Sequence, residues 1–187
     1  MIHYVNSRSL SDKNKIVKYI YEANKEFYHL FGKTSNAIYL DLCNMINDER
    51  TEEFNSKSIF LNDDLIGVIS FYDSDEIYYR QLFSLNHLQN SSPVGTDSIS
   101  SFSNNVPNIE KKSLYLSRIA ISEDFQGKGY STGVLRYLEE EAGKDGYKLI
   151  SLHVHFRNKK AISVYKKYGF TIENDQYDYL VMLKEIN

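Results

Sequence analysis

The chain has 187 residues, with 22 Lys and Arg against 25 Asp and Glu for a formal net charge of −3, and is 42% hydrophobic and 25% charged. That length supports one domain with a proper core, residues 1–187, and not two comfortable ones. The acidic balance argues against nucleic acid as the main partner, because such binding is built from phosphate neutralisation by Lys and Arg, and no apolar stretch reaches membrane-spanning length.

The opening MIHYVNSRSL lacks the basic and apolar regions of a secretory leader, so the cytoplasm is the expected compartment. A strand is expected over 2–5, then a helix that Ser11 and Asp12 can cap. Ile16, Val17, Ile20, Ala23, Phe27, Leu30 and Phe31 fall on one side of it, and Gly32 ends it. A second helix over 36–49 turns Ile38, Leu42, Met45 and Ile46 inward. Cys43, the only cysteine, lies in that apolar pattern, which suits a core role and a reducing compartment. Strands over 58–61 and 65–71 flank a hairpin-like turn at Asn62, Asp63 and Asp64.

Residues 73–112 read as an insertion: a helix over 77–88, then a Ser- and Asn-rich loop over 89–108 holding Pro93 and Pro107. A long loop entering just before a central strand is a candidate lid or acceptor-site wall, with an idle surface insertion as the alternative.

The stretch 114–133, LYLSRIAISEDFQGKGYSTG, organises the rest. Its apolar run over 114–121 suits one buried strand, 122–126 is a polar turn, and Val134, Leu135, Leu138 and Ala142 then recur at helical spacing. Glycines that precede a helix serve either as plain turn punctuation or as an anion cradle. The first-turn N–H groups lack partners, the helix dipole adds positive potential, and Gly127 and Gly129 let a phosphate approach closely. A P-loop is ruled out, since Lys128 is followed by Gly129.

Further on, Asp145 and Gly146 turn the chain into a strand over 147–155. Leu149, Ser151, His153 and His155 lie on one of its faces and Ile150, Leu152 and Val154 on the other. The His-x-His pair has no third ligand spaced for zinc, so no metal is expected. Asn158 can cap the helix that carries Ala161, Ile162, Val164, Tyr165 and Tyr168. Gly169 ends that helix, and 170–173 and 179–183 read as a closing antiparallel pair.

Gln126-Gly127-Lys128-Gly129-Tyr130-Ser131 resembles the Q/R-x-x-G-x-G/A signature of the GCN5-related N-acetyltransferases, the GNAT superfamily, with Ser131 departing at the last position. Asn158, Ala161, Tyr165, Gly169 and Phe170 match the N-x-x-A-x-x-x-Y-x-x-x-G-F pattern that comes after a strand in this family. The resemblance is close over 113–184. It implies an α/β (α+β) fold, a mixed, mostly antiparallel sheet with a splayed parallel strand pair, flanked by helices.

It also implies acetyl-CoA as co-substrate. Its pantetheine arm would lie along Ile119, Ala120 and Ile121, with its pyrophosphate on the amides of Gln126, Gly127, Lys128, Gly129, Tyr130 and Ser131. Asn158 and Tyr165 would complete that site, with Tyr165 as general acid. The acceptor implied is a small-molecule or peptide amine, for which Tyr28, Phe31 and Tyr115, with His29 and Lys33, are candidate contacts. Relatives often place Glu or His where Tyr115 and Ser117 stand here. Proton removal then runs through water held by Tyr115 and Ser117, or through Glu123, His87 or His153. A homodimer, a non-catalytic acyl-CoA sensor and a toxin-type aminoacyl-tRNA acetyltransferase stay open, the last disfavoured by the acidic balance.

Overall fold

The computed structural model describes residues 1–90, 107–175 and 178–186. Strand β1 (Ile2–Asn6) leads into helices α1 (Asn14–Ala23), α2 (Lys25–His29) and α3 (Ser35–Asn47). The hairpin β2 (Ser56–Leu61) and β3 (Asp64–Asp73) and helix α4 (Ile77–Gln89) come next. Then come β4 (Leu114–Ile121), α5 (Tyr130–Lys144), β5 (Leu149–His155), α6 (Lys159–Lys167), β6 (Thr171–Asn174) and β7 (Tyr179–Glu185). Most of the expected loop at 89–108 lies outside the described residues.

Among the described residues seven strands form one sheet in the order β1-β2-β3-β4-β5-β7-β6. Every neighbouring pair is antiparallel except β4 with β5. That parallel pair is short: Leu114, Tyr115 and Leu116 face Ile150, Ser151 and Leu152, and beyond Leu116 the strands part. The expected splayed pair is therefore present. Among the described residues no helix is long and apolar enough to cross a membrane.

Apolar side chains pack on both faces of the sheet, as the alternation of β3 requires. Ile69 joins a cluster with Val134, Leu135 and Leu138 of α5 and Ile162 of α6. Its neighbour Val68 joins Ile16, Val17 and Ile20 of α1 and Ile38, Leu42, Met45 and Ile46 of α3. Cys43 is half-buried against that second cluster.

The single first helix expected up to Gly32 is broken. Asn24 leaves helical geometry at φ −147° and ψ 45°, and its N–H caps α1 on the Tyr21 carbonyl. Asparagine ranks low among helix formers, and here its side chain makes no capping hydrogen bond. The break changes the rotational phase of α2 relative to α1. Tyr28 turns fully inward while Leu30, expected on the apolar side, is 37% exposed.

The pairing of β3 with β4 slips by one residue. Ser70 faces Arg118 and Phe71 faces Leu116, so Ser117 is an unpaired bulge residue in β4. The chain leaves β3 and returns to β4 through a closed neck. Ser74 N–H donates to the Ser113 carbonyl at 3.0 Å, and Ser113 N–H donates to Ser74 Oγ at 2.9 Å. Lys112 Nζ sits 3.4 Å from Asp73 and 3.3 Å from Asp75.

Gly67 leaves no room for a side chain against β4, because a Cβ there would lie 2.2 Å from the Ala120 carbonyl oxygen. Gly67→Ala is expected to destabilise the fold by about 1–3 kcal/mol or more, since the clash is with backbone and not with a movable side chain. Denaturant titration of the two proteins checks this; an unchanged midpoint would contradict the packing described.

Candidate active site

Where β4 and β5 part, a cleft opens whose floor is the second half of β4. The β3 edge of β4 is paired except at the Ser117 bulge, but from Ser117 to Ile121 the edge toward β5 has no strand partner. Backbone donors and acceptors need partners, and along this edge they are left for solvent or a ligand.

The far end of the cleft is the turn from β4 into α5. Gly127 at φ +75° and Gly129 at φ +83° take left-handed geometry that other residues rarely adopt, and a Cβ at either would point into open space. The N–H groups of Gly127, Lys128 and Gly129 donate to no carbonyl among the described residues. With the first turn of α5 they leave a group of unpaired N–H donors at the place where the anion cradle is expected. One correction applies. The Gln126 N–H is already bonded to the Glu123 carbonyl at 3.1 Å, so the free amides begin at Gly127.

Gln126 acts instead as a clasp: its Nε2 donates to the Ile121 carbonyl at 2.8 Å, while its Oε1 accepts from Lys160 on α6. Asn158 caps α6, its Oδ1 accepting from Ala161 N–H at 3.1 Å. That helix carries Tyr165 to the cleft wall. The ring packs edge-on against Phe170, and the hydroxyl has no hydrogen-bond partner among the described residues. Burial raises the Tyr165 pKa, so the phenol keeps its proton.

Across the splay, His153 on β5 lies within 2.7 Å of the Pro107 carbonyl through Nε2. A carbonyl can only accept, so Nε2 carries the proton and Nδ1 accepts from Tyr115 O–H at 3.1 Å. Burial lowers the His153 pKa, opposed by the Pro107 carbonyl and Glu52, and burial raises that of Tyr115. Ser117 Oγ donates to Glu52 Oε1 at 2.9 Å. Of the other proton acceptors expected, His87 is tied to Asp48 at 2.9 Å, and Glu123 sits in the turn before the cradle.

The candidate acceptor contacts at 28–33 stand elsewhere. Tyr28 and Phe31 are 1% and 0% exposed in the helical core, His29 bonds Tyr21, and Lys33 is paired with Asp41. Glu26 and Phe27 line the cleft from that segment. The letters also do not point to Glu52, Glu53 and Tyr72. Arg118 did carry a signal: a charge inside the apolar run LYLSRIAI demands a buried partner. That partner is Glu53, at 3.2 Å, whose other oxygen accepts from Ser84 at 2.7 Å. Burial pushes the Glu53 carboxyl up and Arg118 pulls it back. Burial opposes the Arg118 charge too, but Tyr28, Glu53 and Glu52 outweigh it.

A family profile described as "Acetyltransferase (GNAT) family" matches residues 17–170. An uncharacterised N-acetyltransferase of Methanocaldococcus jannaschii is 34% identical over 98 residues, covering 52% of this chain and 42% of that protein. One of Bacillus subtilis is 41% identical over 56 residues, covering 30% of this chain and 23% of that protein. The chain thus aligns with less than half the length of these relatives. Among solved structures, an acetyltransferase is 17% identical with a TM-score of 0.69, covering 100% of both chains. An N-acetyltransferase from Thermoplasma acidophilum, PaiA, in complex with coenzyme A is 17% identical with a TM-score of 0.55, covering 99% of each chain. These likenesses show a shared fold.

Glu53→Gln leaves the Arg118 cation buried without its counter-charge, which typically costs about 3–5 kcal/mol. The expected result is a large loss in chemical denaturation. Joint replacement of Glu53 and Arg118 by Met should cost far less. Equal losses in the two proteins would show that the pair's charges do not dominate there.

Proposed function

The chain belongs to the acetyltransferase (GNAT) family, and on that premise we propose that it transfers an acetyl group from acetyl-CoA directly to a primary amine of a small molecule or peptide. The observation that carries this reading is the junction of two unsatisfied surfaces. The open edge of β4 runs straight into the free amides at Gly127, Lys128 and Gly129, and the Tyr165 phenol stands beside it. Acetyl-CoA has the matching chemistry: an arm of amides, a pyrophosphate, and a thioester at the arm's end.

In this reading Ile119, Ala120 and Ile121 hold the arm, and the cradle with Tyr130 and Ser131 holds the pyrophosphate. Asn158 serves by fixing α6. Attack by the amine puts negative charge on the thioester oxygen, which backbone N–H near Ile119 receives, and Tyr165 donates its proton to the departing thiolate. Tyr115 and Ser117 face the acceptor side of the same floor, each bonded to a group able to accept a proton. A sensor that only bound acyl-CoA would need neither, so their convergence favours catalysis.

Calorimetry tests the cradle. Gly129→Glu is expected to weaken acetyl-CoA binding by at least about tenfold, whereas Gly129→Asn, which tolerates positive φ, should bind much more like the parent. Undiminished affinity in a folded Gly129→Glu protein would remove the pyrophosphate from this turn.

Tyr165→Phe keeps the ring against Phe170 and removes one O–H. Turnover should fall by about a hundredfold with acetyl-CoA affinity little changed. A parental rate, measured where chemistry limits turnover, would make Tyr165 a packing residue only.

A further inference from the structure

β4 brings no carboxylate of its own to the cleft floor, but its bulge reaches out to one. Ser117 donates to Glu52 Oε1 at 2.9 Å, and Tyr72 on β3 donates to the same oxygen at 2.5 Å. Glu52 is also fixed through its backbone: its N–H donates to Ser84 Oγ at 3.1 Å and its carbonyl accepts from Ser70 Oγ at 2.9 Å. Both side-chain donors fall on Oε1, and Oε2 makes no hydrogen bond to any described residue. The side chain is half-buried and lines the cleft next to Ser117, two residues from the backbone expected to receive the oxyanion. This is a carboxylate with one oxygen anchored and one left for a ligand.

We propose that Glu52 binds the acceptor as an ammonium ion and takes the proton that must leave before the nitrogen can attack. The inference deepens the acetyl-transfer reading above and rests on it. An aliphatic amine arrives protonated at neutral pH, since such groups ionise near 10.4, and its lone pair is then unavailable. The first proton passes from nitrogen to Glu52 Oε2. The free lone pair forms the new N–C bond to the thioester carbon, the carbonyl pair moves to oxygen, and the C–S bond breaks as that pair returns. Tyr165 protonates the thiolate and is recharged by the second nitrogen proton, while Glu52 loses its proton to water after the amide leaves. One ammonium and one thioester thus yield one amide, one thiol and one released proton.

The charged and titratable groups around Glu52 are Tyr28 on α2, Glu53 beside it, Tyr72 on β3, Tyr115 and Arg118 on β4, and His153 on β5. Tyr72, Tyr115 and Tyr28 are buried phenols held in their protonated form, so they donate and do not accept. Arg118 and Glu53 are engaged with each other. His153 is the competing acceptor, but its Nδ1 lone pair is occupied by Tyr115 and its ring is buried.

Glu52→Gln keeps an oxygen for Ser117 and Tyr72 and removes the basicity. The test compares ethylamine, protonated at neutral pH, with trifluoroethylamine, whose fluorines leave it largely neutral there. Both are run at high concentration with acetyl-CoA, reading thiol release. The expected result is a loss of about a hundredfold for ethylamine and only a few-fold for trifluoroethylamine, with unchanged acetyl-CoA affinity. Glu52→Asp, which retains a carboxylate, should recover much of the ethylamine rate and covers the case of a poorly folded Gln variant. Equal losses for the two amines would make Glu52 a structural residue, and no loss would hand the proton to His153 or water; either overturns the proposal. A wild-type protein that acetylates neither amine, nor any in a broader panel of polyamines and peptide amino termini, overturns the acetyl-transfer reading itself.

Discussion

The parting of β4 from β5 after Leu116 is the constraint on which the rest depends. Two strands that begin as neighbours and then diverge leave amides facing a gap, and a protein cannot keep such groups buried and unpaired. The structure resolves this by keeping the gap open to solvent. The second half of β4 is only half-buried except at Arg118, whereas its first half is buried throughout. The same strand is therefore core at one end and site at the other, and the cradle lies at its end because the chain turns there directly into α5.

The bulge at Ser117 brings two consecutive residues of β4 to one pair of glutamates. With an extra residue in β4, Ser117 bonds Glu52 and its neighbour Arg118 pairs with Glu53. Adjacent glutamates thus have opposite fates. Glu53 is 1% exposed and committed to a buried ion pair, while Glu52 stays within reach of a ligand. A buried pair of this kind adds little net stability, because desolvation offsets its attraction. Its effect here is positional: it pins the short turn before β2 and so sets where Glu52 stands.

Much of this was legible in the letters wherever local chemistry decides the outcome. The strand over 114–121, the cap at Asn158 and the closing pair β6 and β7 come from an apolar run, capping chemistry and the glycine that ends a helix. The glycine turn before α5 and the helix that carries Tyr165 were readable because each sits in a contiguous motif. Two features were not. The helix break at Asn24 leaves no pattern in the letters, and with it Tyr28, named as a candidate acceptor contact, turns into the core. Glu52 lies 65 residues before its partner Ser117, and nothing in a single sequence links positions so far apart. Arg118 advertised the need for a partner without naming it.

The neck at Ser74 and Ser113 has a consequence for how this protein can vary. Two hydrogen bonds and the Lys112 bridge close the excursion between β3 and β4 at its base, so the pairing of those strands is set below it. With the ends already held together, lengthening a flexible connection costs only about 0.6 kcal/mol per doubling. The stem therefore acts as a socket. Connections of very different length can follow α4 while the register of β4 is preserved, provided that α4 itself stays, because its Ser84 holds the backbone of Glu52 and the carboxylate of Glu53.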